Sequence, residues 1–372
     1  MEMRMAHVMT SEFVTNGHPD KVCDQMADTI VGAAIEQDPK SRVAMEVTGG
    51  HGLVHVTGEM TTRAQFDIGE LLRQTYKEIG HDHPIAVTTN VVRQAPDIAQ
   101  GVDREGAGDQ GIMTGYAIAG DPSFMPRVWV LARTLCQRLR FCRDNGILPY
   151  LKPDGKSQVT MINGKVTHVT LAAHHAEDVD LITLRHDLAK HVVGNVLPDF
   201  SVVLDSCDPK NPIPDANTVI NGTDRFVEGG FDADAGTTGR KLVVDNYGPN
   251  VEIGGGCYSG KDPSKVDRSG AYFCRLIAKS IVVGRHAGEA LVKVGYAIGV
   301  AKPTFVSVET DLPEMANHAL TLRILAQFDF RPLAIIERLK LQNPRGWRYR
   351  DTAEAGHYGN IAFPWEHVVA IR

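Results

Sequence analysis

The chain has 372 residues, a formal net charge of -6 and 23% charged residues, which allows two or three domains with ample core. That acidic balance excludes nucleic acid and an anionic membrane surface as principal partners, so any affinity for phosphate must be local. Cys23, Cys136, Cys142, Cys207, Cys257 and Cys274 form no C-x-x-C pair or zinc spacing, and neither a signal-peptide core at Met1 to Ser11 nor a membrane-length apolar run is present. The expectation is a reduced, cytoplasmic protein with no membrane partner.

In chain order, Pro19 and Asp20 open a helix running to Gln37, with Val22, Cys23, Met26, Ile30, Ala33 and Ala34 as its apolar stripe. Strands are predicted at Arg42 to Val47 and Leu53 to Thr57 across the turn Gly49 to Gly52, then a helix from Ala64 to Ile79 stopped by Gly80, then a strand over Ala86 to Val92. The order helix, strand, strand, helix, strand recurs. A helix runs from Pro126 to about Asp144, strands Gln158 to Ile162 and Lys165 to Ala172 flank Asn163-Gly164, a helix covers Glu177 to Val193, and Ser201-Val202-Val203-Leu204 reads as a strand. A third round has a helix from Val266 to Val283, strands near Leu291 to Ile298 and Thr304 to Thr310, and helices at Pro313 to Phe328 and Leu333 to Leu341. The fold class is therefore α+β, three similar units whose sheets share an interior. This is a repeat of architecture and not of sequence. Ser206 to Asp262, between the second and third units, is rich in Gly, Asn, Asp and Pro but carries apolar runs, which favours an ordered functional segment.

Two familiar patterns fail. From Gly255 the letters run G-x-x-x-x-G-K, but Asp262 stands where a P-loop needs Ser or Thr and Pro263 follows. Gly106-Ala107-Gly108-Asp109-Gln110-Gly111 satisfies G-x-G-x-x-G, yet the preceding Gln100 to Glu105 is polar where a dinucleotide fold needs an apolar strand. What remains is a set of charged, small-residue stretches. Gly254 to Arg268 combines glycines, Lys261, Lys265, Asp262 and Asp267, the ingredients for holding a polyphosphate with a divalent cation, or else a solvated loop. Gly17-His18-Pro19-Asp20-Lys21 enters the first helix where an anion is favoured; His18 could stabilise a leaving oxygen and Asp20 hold magnesium, or Asp20 could merely complement the dipole. Asp232 to Lys241 offers Asp234 for an amino group or ribose hydroxyl, and Arg240 and Lys241 for phosphate. Lys152-Pro153-Asp154-Gly155-Lys156-Ser157 reads as a plain turn. His81, His83, His174 and His175 show no partner pattern.

Together these stretches resemble the S-adenosylmethionine synthetase (methionine adenosyltransferase) family. Its first signature is similar to Gly106 to Gly111 and its second to Gly254 to Asp262, and the likeness extends through Gly17 to Lys21, Gly58-Glu59, Lys156 to Thr160, Thr238 to Lys241, Tyr296 to Val300 and Phe363 to Glu366. The resemblance implies transfer of the adenosyl group of ATP to the sulfur of L-methionine, with hydrolysis of the departing triphosphate to phosphate and diphosphate. It also implies three domains with pseudo-threefold symmetry, bounded near 1–101, 106–230 and 231–372, whose spatial units interleave.

By that likeness His18, Lys156, Arg240 and Lys261 are catalytic, and the ATP contacts are His18, Asp154, Gly155, Lys156, Arg225, Phe226, Asp234, Arg240, Lys241, Cys257 and Lys261. Glu59, Gln94, Asp234 and Lys265 match positions for methionine; Asp20 and Asp267 resemble ligands for two Mg2+ ions per site, and Glu46 the carboxylate near a K+. A homotetramer built from dimers, each with its site at the subunit interface, is the implied assembly. Departures from the family pattern are Cys257-Tyr258, Ile253, Glu105, Lys152 and Gly155, together with a shortened stretch from Ile79 to Gly106 that in the family forms a loop over the site. Two rival readings are an inactive nucleotide-binding relative and a γ-phosphoryl-transferring kinase or ATPase.

Overall fold

The computed structural model describes residues 7–94, 106–198 and 217–372. Three antiparallel hairpins organise it: β2 (Arg42–Gly50) with β3 (Leu53–Thr61), β6 (Leu151–Ile162) with β7 (Lys165–His175), and β10 (Glu289–Tyr296) with β11 (Phe305–Thr310). Each hairpin is widened by strands from elsewhere in the chain. β4 (Ala86–Val92) joins β3 in parallel and β9 (Gly236–Thr237) pairs antiparallel with β2, giving the order β4-β3-β2-β9. The second sheet repeats that plan: β8 (Asn217–Ile220) is parallel to β7, and β1 (Val8–Val14) is antiparallel to β6. In the third, β5 (Gly111–Ile118) pairs antiparallel with β10, and no strand joins β11 on its other side among the described residues.

The sequence patterns account for most of this. Val43, Met45 and Val47 alternate inward on β2 against the buried Val22, Met26 and Ile30 of α1 (Pro19–Gln37), a period of two meeting a period of 3.6. The helix α2 (Ile68–Ile79) begins four residues later than Ala64 because Asp67 is extended and its carboxylate accepts the Glu70 N–H at 2.9 Å. Gly80 ends it in the left-handed region, as expected. α3 (Arg127–Asp144) covers β6 and β1, and α4 (Leu181–Leu188) starts only after Asp180 caps it. The predicted helix end at Val193 falls in a wider i to i+5 turn, Ala189–Val193.

Three further helices close the molecule: α5 (Val266–Val283), α6 (Glu314–Gln327) and α7 (Pro332–Leu339). A short α8 (Tyr349–Glu354) packs on α1. Bounds for α1, β4 and α5 match the sequence reading, and both hairpins of the first two sheets extend beyond it. β1 and β5 have no counterpart in that reading, since their partners lie well over a hundred residues away and Thr10, Ser11 and Glu12 dilute any apolar alternation in β1. The predicted strand Ser201 to Leu204 lies outside the described residues, as do Glu105, Cys207 and part of the shortened loop.

α5 is buried on nearly every face, so its charges need internal partners. Arg275 forks onto Glu366 with two 3.0 Å bonds and also donates to the carbonyls of Tyr116, Ser123 and Phe124, while Lys279 reaches the same carboxylate at 2.7 Å. This knot ties α5, β5 and the C-terminal segment together. Glu366→Ala strands two buried cations and is expected to cost about 3–5 kcal/mol; a chemical-denaturation midpoint unchanged from the parent protein would contradict that role.

Candidate active site

Helix α1 starts where extended His18 meets Pro19, whose ring presets the first helical turn. The Nδ1 of His18 accepts the Asp20 N–H at 3.2 Å, so the ring proton resides on Nε2. Burial, helped by Lys241 and Lys156 and opposed by Asp20 and Asp234, brings the His18 pKa down to about 4. At neutral pH the ring is an uncharged donor. Burial alone would raise Asp20, but hydrogen bonds from Lys241 (2.5 Å) and the Thr237 N–H (3.0 Å) hold it below the usual carboxylate range. Arg240 lies 3.1 Å from the same carboxylate and is half-exposed. Lys156 faces Glu12 at 2.6 Å across the β1–β6 pair.

A second charged group surrounds the start of α5. Lys261 is ion-paired with Asp267 in the first helical turn, which keeps its ammonium protonated despite partial burial. Lys261 also bridges to Ala44 of β2, and Ala44 pairs with Glu59 of β3, so Lys261, Glu46 and Glu59 share the outward face of the first sheet. Burial raises the Glu46 carboxyl, with Lys261 opposing. The Cys257 thiol is pushed up to about 11 by burial and is a neutral, free thiol. The Lys265 ammonium sits 2.5 Å from buried Asp262, which also accepts the Val43 N–H at 2.7 Å. Gln94 follows β4, buried, with its backbone N–H 3.3 Å from the Thr61 hydroxyl and its side-chain oxygen without a partner among the described residues.

The third wall comes from β6 and β7. A side chain on Gly17 would overlap Pro153, so the loop entering α1 lies flat against the strand carrying Asp154 and Gly155. Asp154 accepts the Gly230 N–H at 2.8 Å, and burial lifts its pKa to about 6, with Asp234 adding to the rise. Phe226 stacks on His174 with ring centroids 5.3 Å apart, and its N–H donates to His175 Nε2 at 3.1 Å. Arg225 pairs with exposed Glu177 at 2.8 Å.

Of the histidines without a sequence signal, His81 and His174 are buried supports. His81 stacks on Tyr76 and binds the Gly17 carbonyl at 3.0 Å, and His174 binds the Val227 carbonyl at 2.9 Å. Burial lowers both to about 4. Only tertiary proximity reveals them, because no spacing links His81 to Gly17 or His174 to Val227.

The structure thus brings His18, Asp20, Lys156, Asp234, Arg240 and Lys241 into one electrostatic group at the head of α1. Cys257 lies against Gly239, which joins that group to Glu46, Lys261 and Asp267. Lys265 is engaged by Asp262, and Glu59 and Gln94 lie farther along the first sheet. No cluster of three or more His, Cys, Asp or Glu suited to a metal occurs among the described residues. Single carboxylates at the starts of α1 and α5 suit Mg2+ shared with phosphate oxygens, since that ion keeps several waters and takes one or two protein carboxylates.

Helix starts and glycine turns lined with cations, in an α+β protein of three sheets, are features that suit a polyphosphate. Family models carry this further: the N-terminal, central and C-terminal domains of S-adenosylmethionine synthetase match residues 6–98, 104–226 and 228–367. The S-adenosylmethionine synthase of Desulforudis audaxviator is 44% identical over 97% of this chain and 96% of its own length. Those of Thermus thermophilus and of a Synechococcus species are each 43% identical over 98% of this chain, covering 96% and 97% of their own lengths. The chain belongs to the S-adenosylmethionine synthetase family.

The neutral histidines set an acid limit on the fold. An unfolded histidine takes up its proton near pH 6.5 and buried His81 only near pH 4, so stability is full above 6.5 and is lost as pH falls toward 4. His81→Gln removes one such group; thermal melting followed from pH 7 to pH 4 is expected to decline less steeply than in the parent, and parallel curves would contradict it.

Proposed function

We propose that this site makes S-adenosylmethionine from ATP and L-methionine, the methionine sulfur attacking C5′ and intact triphosphate leaving before hydrolysis to phosphate and diphosphate. The observation that carries this reading is a neutral histidine donor surrounded by Lys156, Lys241, Arg240 and, across Gly239, Lys261. A thioether has no proton to lose, so the chemistry asks for alignment and for stabilisation of a heavily charged leaving group, not for a general base. His18 Nε2–H is the donor for the oxygen departing from C5′. Lys156, Arg240, Lys241 and Lys261 clamp the triphosphate, exchanging carboxylate partners for phosphate oxygens. Asp154 takes the ribose hydroxyls and Asp234 the methionine amino group, Phe226 and Arg225 flank the adenine, Gly155 and Cys257 line the nucleotide, and Glu59, Gln94 and Lys265 complete the methionine side.

Asp20 and Asp267 would hold Mg2+, which supplies neutralisation of the phosphate oxygens, and Glu46 would attend K+. We propose domains near 1–101, 106–230 and 231–372, related by pseudo-threefold symmetry, in keeping with an antiparallel strand added beside the first strand of each hairpin. Exposed Leu53, Val92, Ile112, Ile298, Val300 and Phe305 support a homo-oligomer, a dimer doubled to a tetramer, with the outward sheet faces meeting. Free thiols at the five described cysteines suit the cytoplasm, and no described helix is long and apolar enough to cross a membrane.

Incubation with ATP, methionine, Mg2+ and K+ is expected to yield S-adenosylmethionine with phosphate and diphosphate; ADP as the nucleotide product would favour a kinase, and no turnover an inactive relative. Lys261→Ala should slow adenosyl transfer by roughly 10²–10³, and an unchanged rate removes that residue from the clamp. Asp20→Asn should raise the Mg2+ needed for half-maximal rate, which a magnesium titration reads directly. Because Asp154 ionises only near pH 6, its contribution to nucleotide binding is present above that pH and is lost below it; KM for ATP should rise below pH 6 in the parent, and Asp154→Asn should flatten that limb.

A further inference from the structure

Helix α1 carries Asp20, Asp24 and Asp28 at four-residue intervals, on one face. All three are fully buried, where an unpaired charge is costly, so each must be held by specific donors. Asp20 takes the Thr237 N–H, Asp24 the Gly239 N–H at 2.8 Å, and Asp28 the Gly260 N–H at 2.9 Å. Gly239 and Gly260 are both left-handed, with φ of 81° and 82°, and each immediately precedes a cation of the clamp: Arg240 and Lys241 after one, Lys261 after the other. Two separate glycine turns are therefore fastened, one helical turn apart, to a single rigid rod.

We propose that Asp24 and Asp28 are positioning residues for the triphosphate clamp, acting through the amides of Gly239 and Gly260 and never touching substrate. The inference rests on the adenosyl-transfer reading above. Charge balance explains how the fold tolerates them. Lys21, buried, lies 3.2 Å from Asp24 and 2.5 Å from Asp245; Arg268 forks onto Asp28 with two 2.7 Å bonds and also grips the Lys261 carbonyl at 2.8 Å. The second link fixes Lys261 from both sides of its peptide. A ligand-free ammonium on a flexible four-carbon stem gains alignment only if its backbone is fixed, and a displacement of about 1 Å can cost roughly 10²-fold in rate.

The test uses the full-length protein, with kcat and KM for S-adenosylmethionine formation and for hydrolysis of added tripolyphosphate, alongside melting temperatures. Asp24→Ala deletes the acceptor; Asp24→Asn keeps a carbonyl oxygen for the Gly239 N–H and drops the charge. The expected result is a kcat loss of roughly 10²-fold in both reactions for Asp24→Ala, with a smaller change in KM, and recovery of most of that loss in Asp24→Asn. Gly239→Ala provides a second route should Asp24→Ala not fold, because its methyl would meet Cys257 Cβ at 2.8 Å and shift the same turn with Asp24 intact; a kcat loss is expected there too. Unchanged kcat in folded Asp24→Ala or in Gly239→Ala overturns the proposal, as does equal loss in Asp24→Ala and Asp24→Asn that tracks their melting temperatures. Failure of the parent protein to form S-adenosylmethionine would instead overturn the functional reading.

Discussion

The rest of the molecule depends on a row of buried carboxylates along α1. Charges of like sign one helical turn apart repel, and each loses its water on burial, so they persist only because Lys21, Lys241, Arg240 and Arg268 converge on them with backbone N–H groups from two distant turns. Burial raises Asp24, and Asp245, sharing Lys21, is raised to about 7. The cluster stands near its limit of charge. Removing any cation would leave a carboxylate that must take up a proton or pull the helix out of register with its turns.

The same economy explains the histidine at the head of the helix. A protonated His18 would add a further positive charge where Lys241 and Lys156 already press on it, and burial forbids the extra charge. Neutrality gives a defined tautomer, because the Asp20 amide occupies Nδ1 and leaves the proton on Nε2. The supports behind the site follow one rule. His81, His174 and His175 are fixed by carbonyls or amides of the loops they brace, so their rings orient backbone, and burial lowers His81 and His174 to about 4.

Interleaving makes these contacts possible. β1 belongs by sequence to the first unit yet completes the second sheet, β5 completes the third, and β9 returns from residues 236–237 to close the first. The return of β9 carries Thr237 to Lys241 onto the head of α1. The turn at Tyr258 to Lys261 reaches β2 in the same manner, through the hydrogen bond from the Met45 N–H to the Gly260 carbonyl. Chain segments some two hundred residues apart thus supply one cation-lined surface, and cutting any return would separate the cations from the helix start.

Local physics wrote much of this into the sequence. The bounds of α1, β4 and α5, the hairpin at Asn163-Gly164 and the stop at Gly80 all follow from period, capping and turn chemistry, which act within a few residues. The cation-bearing stretches around His18, Arg240 and Lys261 stand out in the sequence by composition, though each alone reads equally as a solvated loop or a helix-dipole partner. Tertiary structure alone decided what holds them. Nothing in the sequence singles out Asp24 or Asp28, names Asp262 as the neighbour of Lys265 or gives His81, His174 and His175 a partner. Burial of α1 on nearly every face, the pairing of Lys265 with Asp262 and the stacking of His174 on Phe226 are settled only when the chain has folded. They come from packing between segments far apart in the chain, and no periodicity records a distance that folding itself creates.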